Sequence, residues 1–380
     1  MLRPMDSTTR RGPRSLVAAT VLVPVVVAVA LMAFAWPSAR LAPRDLPIGV
    51  AGPPQATAAI ERQLGRPGNA FDVHRYTDEA AARAAITDRD VYGAIVVAPG
   101  GVTVLTASAA SPVVAQLLSQ AATQAGGSGG AAASPAPGGA APGPGSPVGQ
   151  APSPGSPAGQ APSAAGGRPR MVDVVPADPE DPRGAALSAS VLPLVLAGVL
   201  AGLLIGASRR PGLGQAGALV VTAALAGLAA VGIAQGWLGV IGGDWLVNAG
   251  VLALTVLAIA AAAAGLLALL GEAGLVLAAL LMVLLGNPLS GVSSAPELLP
   301  QPFGLIGQLL PPGAGGSLLR STAFFDGNAA VVPLTVLAVW AVLGLVAVWA
   351  GGLLRRRPAD ATARVRPLPS GSHEGSSAAS

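Results

Sequence analysis

Apolar residues in this chain arrive in long unbroken runs, not in the narrow stripes of half-buried helices or the alternation of half-buried strands. The first, Ser15–Trp36, has about the 20 residues that a helix needs to cross roughly 30 Å of hydrocarbon. After a long interval come Ala186–Ala207, Leu213–Gln235, Leu246–Leu270, Leu275–Val292 and Val331–Leu354. The pattern predicts an α-helical polytopic membrane protein with about six transmembrane helices. A signal peptide competes for the first run, but signal-peptide apolar regions are usually about 7–15 residues long, and Ala33-Phe34-Ala35-Trp36-Pro37 is a poor cleavage site. The expectation is a retained anchor.

Between the first and second runs the pattern changes. Leu46–Ala51 and Phe71–Tyr76 read as strands, with a helix between them that starts at Pro53-Pro54 and stops at Gly65 and Pro67. Thr77 is the expected N-cap of a second helix, with Asp78 and Glu79 in its first turn and Ala81, Ala84 and Ala85 on its apolar face. Tyr92–Val97 and Val102–Thr106 read as strands joined at Pro99-Gly100-Gly101, and Pro112 opens a last helix. The order βαβαββα predicts a small external α/β domain over residues 37–123, inserted between the first and second spans. Residues 124–170 are Gly, Ala, Ser and Pro with a tandem decapeptide at Gly145–Pro154 and Gly155–Ala164, a composition that cannot offset its own chain entropy. They read as a flexible linker.

The acids of Val172–Gly184 then read as a hydrated approach to the second span, at the head of a five-helix transmembrane domain over residues 171–354. Within that domain, 287–328 is too broken by proline for a spanning helix and too apolar for an ordinary loop. It is expected to form short helices at the external interface.

Charge supplies the orientation. Six crossings from an inside N-terminus place residues 1–14, the Arg209-Arg210 turn, the turn at Glu272 and the tail 355–380 in the cytoplasm, where they carry 11 Arg against four acids. Residues 37–185 carry 10 Arg against 11 acids and belong outside. The expected location is a bacterial plasma membrane with both termini cytoplasmic.

Composition removes chemistry. All 22 basic residues are Arg, so the chain has no Lys for a phosphate-binding loop or a Schiff base. With no Cys, disulfides and thiolate sites are excluded. His74 sits on a strand beside Asp72 and Tyr76, His373 in the polar tail, and neither belongs to a ligand cluster. No catalytic residue, cofactor or metal site is expected, and the net charge of +4 is spread along the membrane flanks rather than gathered for nucleic acid. Nor do the predicted spans hold ionisable groups near their centres; Thr222, Asn248 and Thr255 are among their few polar residues. Gly198, Gly202 and Gly206 form a doubled G-x-x-x-G ridge, suited to close helix approach either within the chain or in a dimer. The candidate external vestibule is Asn287, Pro288, Glu297, Pro311, Pro312, Gly313, Arg320 and Asp326, with Glu297, Arg320 and Asp326 at its rim.

The segments Ala80–Val97, Glu180-Asp181-Pro182-Arg183-Gly184, Gly286–Gly291, Leu310–Ala314 and Leu319-Arg320, set in this order of spans, resemble the membrane subunits of type 2 ABC exporters and the related phage-infection-protein-like membrane proteins. The resemblance implies a permease-like exporter subunit, passive by itself, energised by a separate cytoplasmic ATPase and paired as two membrane subunits. Its implied partners are the lipid bilayer, that ATPase and a second copy of the chain. The alternative is a non-transporting envelope scaffold or receptor whose external domain binds a partner. It is favoured by the short connection at Ser208–Gly212, where such permeases carry a substantial loop.

Overall fold

The computed structural model describes residues 13–64, 70–128, 169–208 and 212–363. The first 12 residues, the tandem decapeptide, Arg209-Arg210 and the tail with His373 lie outside the described residues. The chain forms two compact units, one of residues 1–41 and 185–380, the other of residues 42–184.

Helix α1 (Pro13–Ala39) belongs to the first unit and leads into the second. The second unit runs β1 (Leu46–Ala51), α2 (Pro54–Leu64), β2 (Phe71–Tyr76), α3 (Glu79–Thr87), β3 (Gly93–Ala98), β4 (Gly101–Thr106), α4 (Pro112–Ser128) and β5 (Arg170–Asp173). Its sheet has the order β2-β1-β3-β4-β5, parallel throughout except for the β3–β4 hairpin. Central β1 buries Leu46, Ile48, Val50 and Ala51 without alternation, as a parallel strand covered on both faces should.

Two sequence expectations for this unit need correction. The α3 cap is Asp78 rather than Thr77: its Oδ1 accepts from the Ala81 amide at 2.8 Å, and a carboxylate there also meets the positive end of the helix. The buried face of α3 is Ala82, Ala85 and Ile86; of the expected face only Ala85 is buried, Ala84 being exposed and Ala81 half-buried.

The second correction concerns the boundary. β5 pairs in parallel with β4, Thr103 opposite Arg170 through Thr106 opposite Asp173. The Val174 amide then donates to Thr106 O at 2.8 Å, and the Asp173 carboxylate accepts from both the amide and the hydroxyl of Ser108. Residues 170–184 therefore complete the α/β unit rather than opening the transmembrane one, and the low-complexity segment joins two points of a single fold. A four-residue strand whose partner lies some 65 residues away leaves no local pattern to read.

The helical unit contains, after α1, α5 (Ala185–Gly206), α6 (Gly212–Val231), α7 (Trp245–Leu270), α8 (Glu272–Ala279), α9 (Phe303–Gln308), α10 (Pro311–Phe324) and α11 (Val331–Ala363). A π-helical turn, Gly232–Trp237, extends α6. Among the described residues four helices are long and apolar enough to cross a membrane: Ala185–Gly206, Gly212–Trp237, Trp245–Leu270 and Val331–Leu354. Large side chains such as Leu204, Leu213, Leu246 and Val331 stand more than 70% exposed, a surface suited to lipid and not to water. The chain is a membrane-embedded helical protein.

α7 is its axle. Two thirds of its apolar window is buried, against 22–28% for the other three long helices. Its run Ala258–Gly265 lets neighbours approach to backbone distance. A Cβ built on Gly202 of α5 would stand 3.0 Å from Ala260 Cα, one on Gly227 of α6 would stand 2.6 Å from Ala249 O, and one on Gly344 of α11 would stand 2.6 Å from Ala261 O. The Gly198/Gly202/Gly206 ridge thus meets Ile259, Ala260 and Ala264 of the same chain. The pairings rise together along α5 and α7 and along α11 and α7, so these helices run parallel; α6, whose Gly227 meets Ala249 and Ala253, returns between them.

Candidate functional site

The element between α7 and α11 is neither one helix nor a loop. After the turn at Gly271, α8 contributes eight residues and the π-helical turn Leu280–Gly286 seven, together about 22 Å. The expected span Leu275–Val292 is cut short there: Asn287 keeps helical dihedrals, but Pro288 has no N–H to continue the ladder and the chain passes into turns. The chain continues through a short 3₁₀ turn, Pro296–Leu298, and α9 before α10 begins. The short helices expected over 287–328 are therefore present.

Their level in the unit follows from what they touch. A Cβ on Gly315, near the start of α10, would lie 2.7 Å from Thr255 Oγ1, ten residues or about 15 Å along α7. At the other end, a Cβ on Gly242, just before α7, would lie 3.2 Å from Ala323 O. α10 therefore lines only the Trp245 half of α7, while α8 lies against the Leu270 half, a Cβ on Gly274 falling 2.8 Å from Leu267 N. Gly286 and Pro312, where the two half-length helices meet, are in contact. The irregular segment starts at mid-height on α7.

Irregular backbone at such a place must find its hydrogen bonds inside the protein. Gln308 Nε2 donates to Ser290 O at 2.7 Å and its Oε1 accepts from Ser317 Oγ at 2.6 Å. Trp340 Nε1, from α11, donates to Leu309 O at 2.9 Å, and Arg320 Nη2 donates to Val292 O at 2.9 Å. Pro311 and Pro312 occupy the first positions of α10, where a missing N–H costs nothing. A second knot ties the far end. Fully buried Asn248 donates to Gly242 O at 2.7 Å and Gln235 Oε1 at 3.1 Å, while its Oδ1 accepts from Thr322 Oγ1 at 2.8 Å. One side chain thereby joins the ends of α6, α7 and α10.

The eight vestibule residues divide on this geometry. Asn287 and Pro288 follow Gly286 half-buried, and Pro311, Pro312 and Gly313 are buried at the start of α10. Of the three rim charges, Asp326 is exposed at a positive φ of 49° and Glu297 is half-buried. Arg320 does not lie on a rim: it is 5% exposed, within the helical unit and against Val292. The absence of charge within the predicted spans holds for the four long helices, but α10, which was not among those spans, carries an arginine inward. Gln308, Ser290, Ser317 and Trp340 were not singled out in the sequence. They are ordinary polar and aromatic residues until the fold aligns them. Between α5, α7 and α10, Ser190, Leu194, Leu252, Thr255, Gly315 and Leu319 border a cleft of about 40 Å³, space for a few waters and closed to an organic molecule.

In the α/β unit, His74 Nε2 stands 3.1 Å from Asp72 Oδ2 on the exposed strand β2. Arg75 pairs with Glu61 of α2. That bond holds the Glu61 carboxyl below its ordinary range, helped by the Thr57 hydroxyl, and burial raises the Tyr76 phenol. Among the described residues no three His, Asp or Glu side chains gather to hold a metal ion. Comparison of the chain with protein-family models, with curated proteins and with solved structures finds no match.

Proposed function

We propose that the chain is a membrane-spanning, permease-like subunit of an exporter in a bacterial plasma membrane, passive by itself and energised by a separate cytoplasmic ATPase. In this reading α1 and the α8–α10 element complete six crossings, the α/β unit is external, and both termini are cytoplasmic. The broken α8–α10 element carries the proposal. A continuous helix would satisfy its own backbone; an irregular join at membrane depth is tolerated where it is buried in protein or lines a water-filled cavity, and transporters build their sites at such joins. Arg320 beside that join supplies a fixed positive charge. A guanidinium is no proton carrier, so in this reading the energy comes from a partner.

A second reading, an envelope scaffold or receptor, draws on the connection between α5 and α6. Only residues 207–211 lie there, and Gln215 Nε2 draws the end tight by donating to Gly206 O at 3.1 Å and Ser208 O at 2.9 Å. Such a turn offers an ATPase little to grip. The two readings separate on gentle solubilisation of the full chain from its native host. Exporter function requires an ATPase to co-purify, no ATP hydrolysis by the chain alone in lipid discs, and Arg320→Ala to reduce export while membrane abundance holds. Absence of a co-purifying ATPase, with the phenotype indifferent to Arg320→Ala, leaves the scaffold.

A further inference from the structure

Beside the broken element lies a larger space that the proposed route does not use. Met32, Ala33 and Trp36 of α1 face Leu285, Leu289 and Phe303 across a pocket of about 290 Å³ lined by apolar side chains throughout. Trp36 and Phe303 close its end edge to face, 5.3 Å apart at 81°. The pocket lies where α1 meets the rest of the helical unit, and further back along α1 Val25, Val27 and Val29 are about half exposed. α1 is thus joined to its neighbours partly across a gap, which in a membrane protein is filled by whatever the surrounding solvent supplies.

That solvent is lipid, and the ends of the pocket are suited to one. Indole rings settle at the boundary between hydrocarbon and headgroups. Arg40, exposed, follows Trp36 by one helical turn, about 6 Å further along the axis, at the height of a phosphate. From Pro13 to Leu41 the only charged residues are Arg14 and Arg40. We propose that this pocket is a binding site for a phospholipid of the surrounding bilayer, one acyl chain lying between α1 and Leu285, Leu289 and Phe303, its anionic headgroup meeting Arg40. The site exists whether the chain exports or scaffolds, since it requires only that the protein be embedded in lipid.

The full-length protein, purified in mild detergent and examined by native mass spectrometry after exchange into phosphatidylglycerol or phosphatidylcholine, tests it. One tightly held phospholipid is expected, with phosphatidylglycerol retained several-fold over phosphatidylcholine. Arg40→Gln should abolish that preference and keep the lipid. Ala33→Phe, which fills the pocket, should abolish retention of both lipids; Leu285→Phe narrows it from the opposite wall and serves if the first variant unfolds. No retained lipid, or equal retention by wild type and a folded filled variant, overturns the site. A filled variant that instead loses a dimer also overturns it, in favour of a helix from a second copy.

Discussion

Gly202 measures how closely the membrane helices depend on α7. An alanine Cβ there would stand 3.0 Å from both Cα and the carbonyl carbon of Ala260, and closer still to its oxygen, where ordinary contact begins near 3.4 Å. The obstacle is backbone within a buried helix and cannot rotate away, so α5 must retreat by at least several tenths of an ångström. Overpacking of this kind costs about 1–3 kcal/mol. Alanine recovers up to about 1 kcal/mol through its helix propensity, leaving a net loss of up to about 2 kcal/mol. Gly217 on α6, with nothing within 4 Å of its Cβ position, is the control, and Gly217→Ala should be neutral or stabilising. Gly198 falls between, because its obstacle is the Ile259 side chain at 2.9 Å. Fraction folded during denaturation in mixed detergent micelles should rank Gly202→Ala below Gly198→Ala below Gly217→Ala, with oligomeric state unchanged in all three. Equal stability of the first and last would refute the α5–α7 contact. A change of oligomeric state confined to Gly202→Ala would assign the ridge to a dimer instead.

Three further outcomes follow from other parts of the molecule. Asp78→Ala should cost the α/β unit about 1 kcal/mol through loss of the α3 cap while Thr77→Ala costs little, so equal effects on thermal unfolding would return the cap to Thr77. The lowered pKa of Glu61, due first to the hydrogen bond from Arg75, means that their pair stabilises above the unfolded carboxylate pKa and loses that contribution as pH falls through the folded value. Wild type and Arg75→Ala should accordingly differ at neutral pH and converge in acid; a difference that persists at low pH would refute it. Since the chain has no cysteine, Ser128→Cys and Ser372→Cys report orientation cleanly, and an impermeant maleimide on intact cells should label the first and not the second. Labelling of both, or the reverse, would overturn the proposed topology.

What the sequence reveals here depends on how local the cause is. The four long helices and β1 and β2 were readable because runs of apolar residues and short strands bounded by Gly and Pro depend on neighbours in sequence. Proline positions likewise announced that 287–328 would be short helices. β5 was not readable, because its partner β4 lies across the low-complexity segment. Arg320 was misplaced for a related reason: a charge amid glycine and proline reads as exposed, and only the contact of α10 with α7 and Val292 encloses it. Asn248 was visible as a polar residue in an apolar run, but its three partners come from the ends of three helices.

The return of the chain into β5 changes what the Gly/Pro/Ala/Ser-rich stretch has to accomplish. A tether between two bodies must be long enough to span them, and shortening it pulls on both. A stretch that leaves α4 and returns to β5 of the same unit has only to close on that unit, and for a flexible closure doubling the length costs roughly 0.6 kcal/mol. Deleting one decapeptide should therefore leave thermal unfolding of the α/β unit unchanged, and a large loss of stability would refute this. For the experimenter the same property makes Gly145–Ala164 the place to insert a tag or a fluorescent domain without disturbing either folded unit.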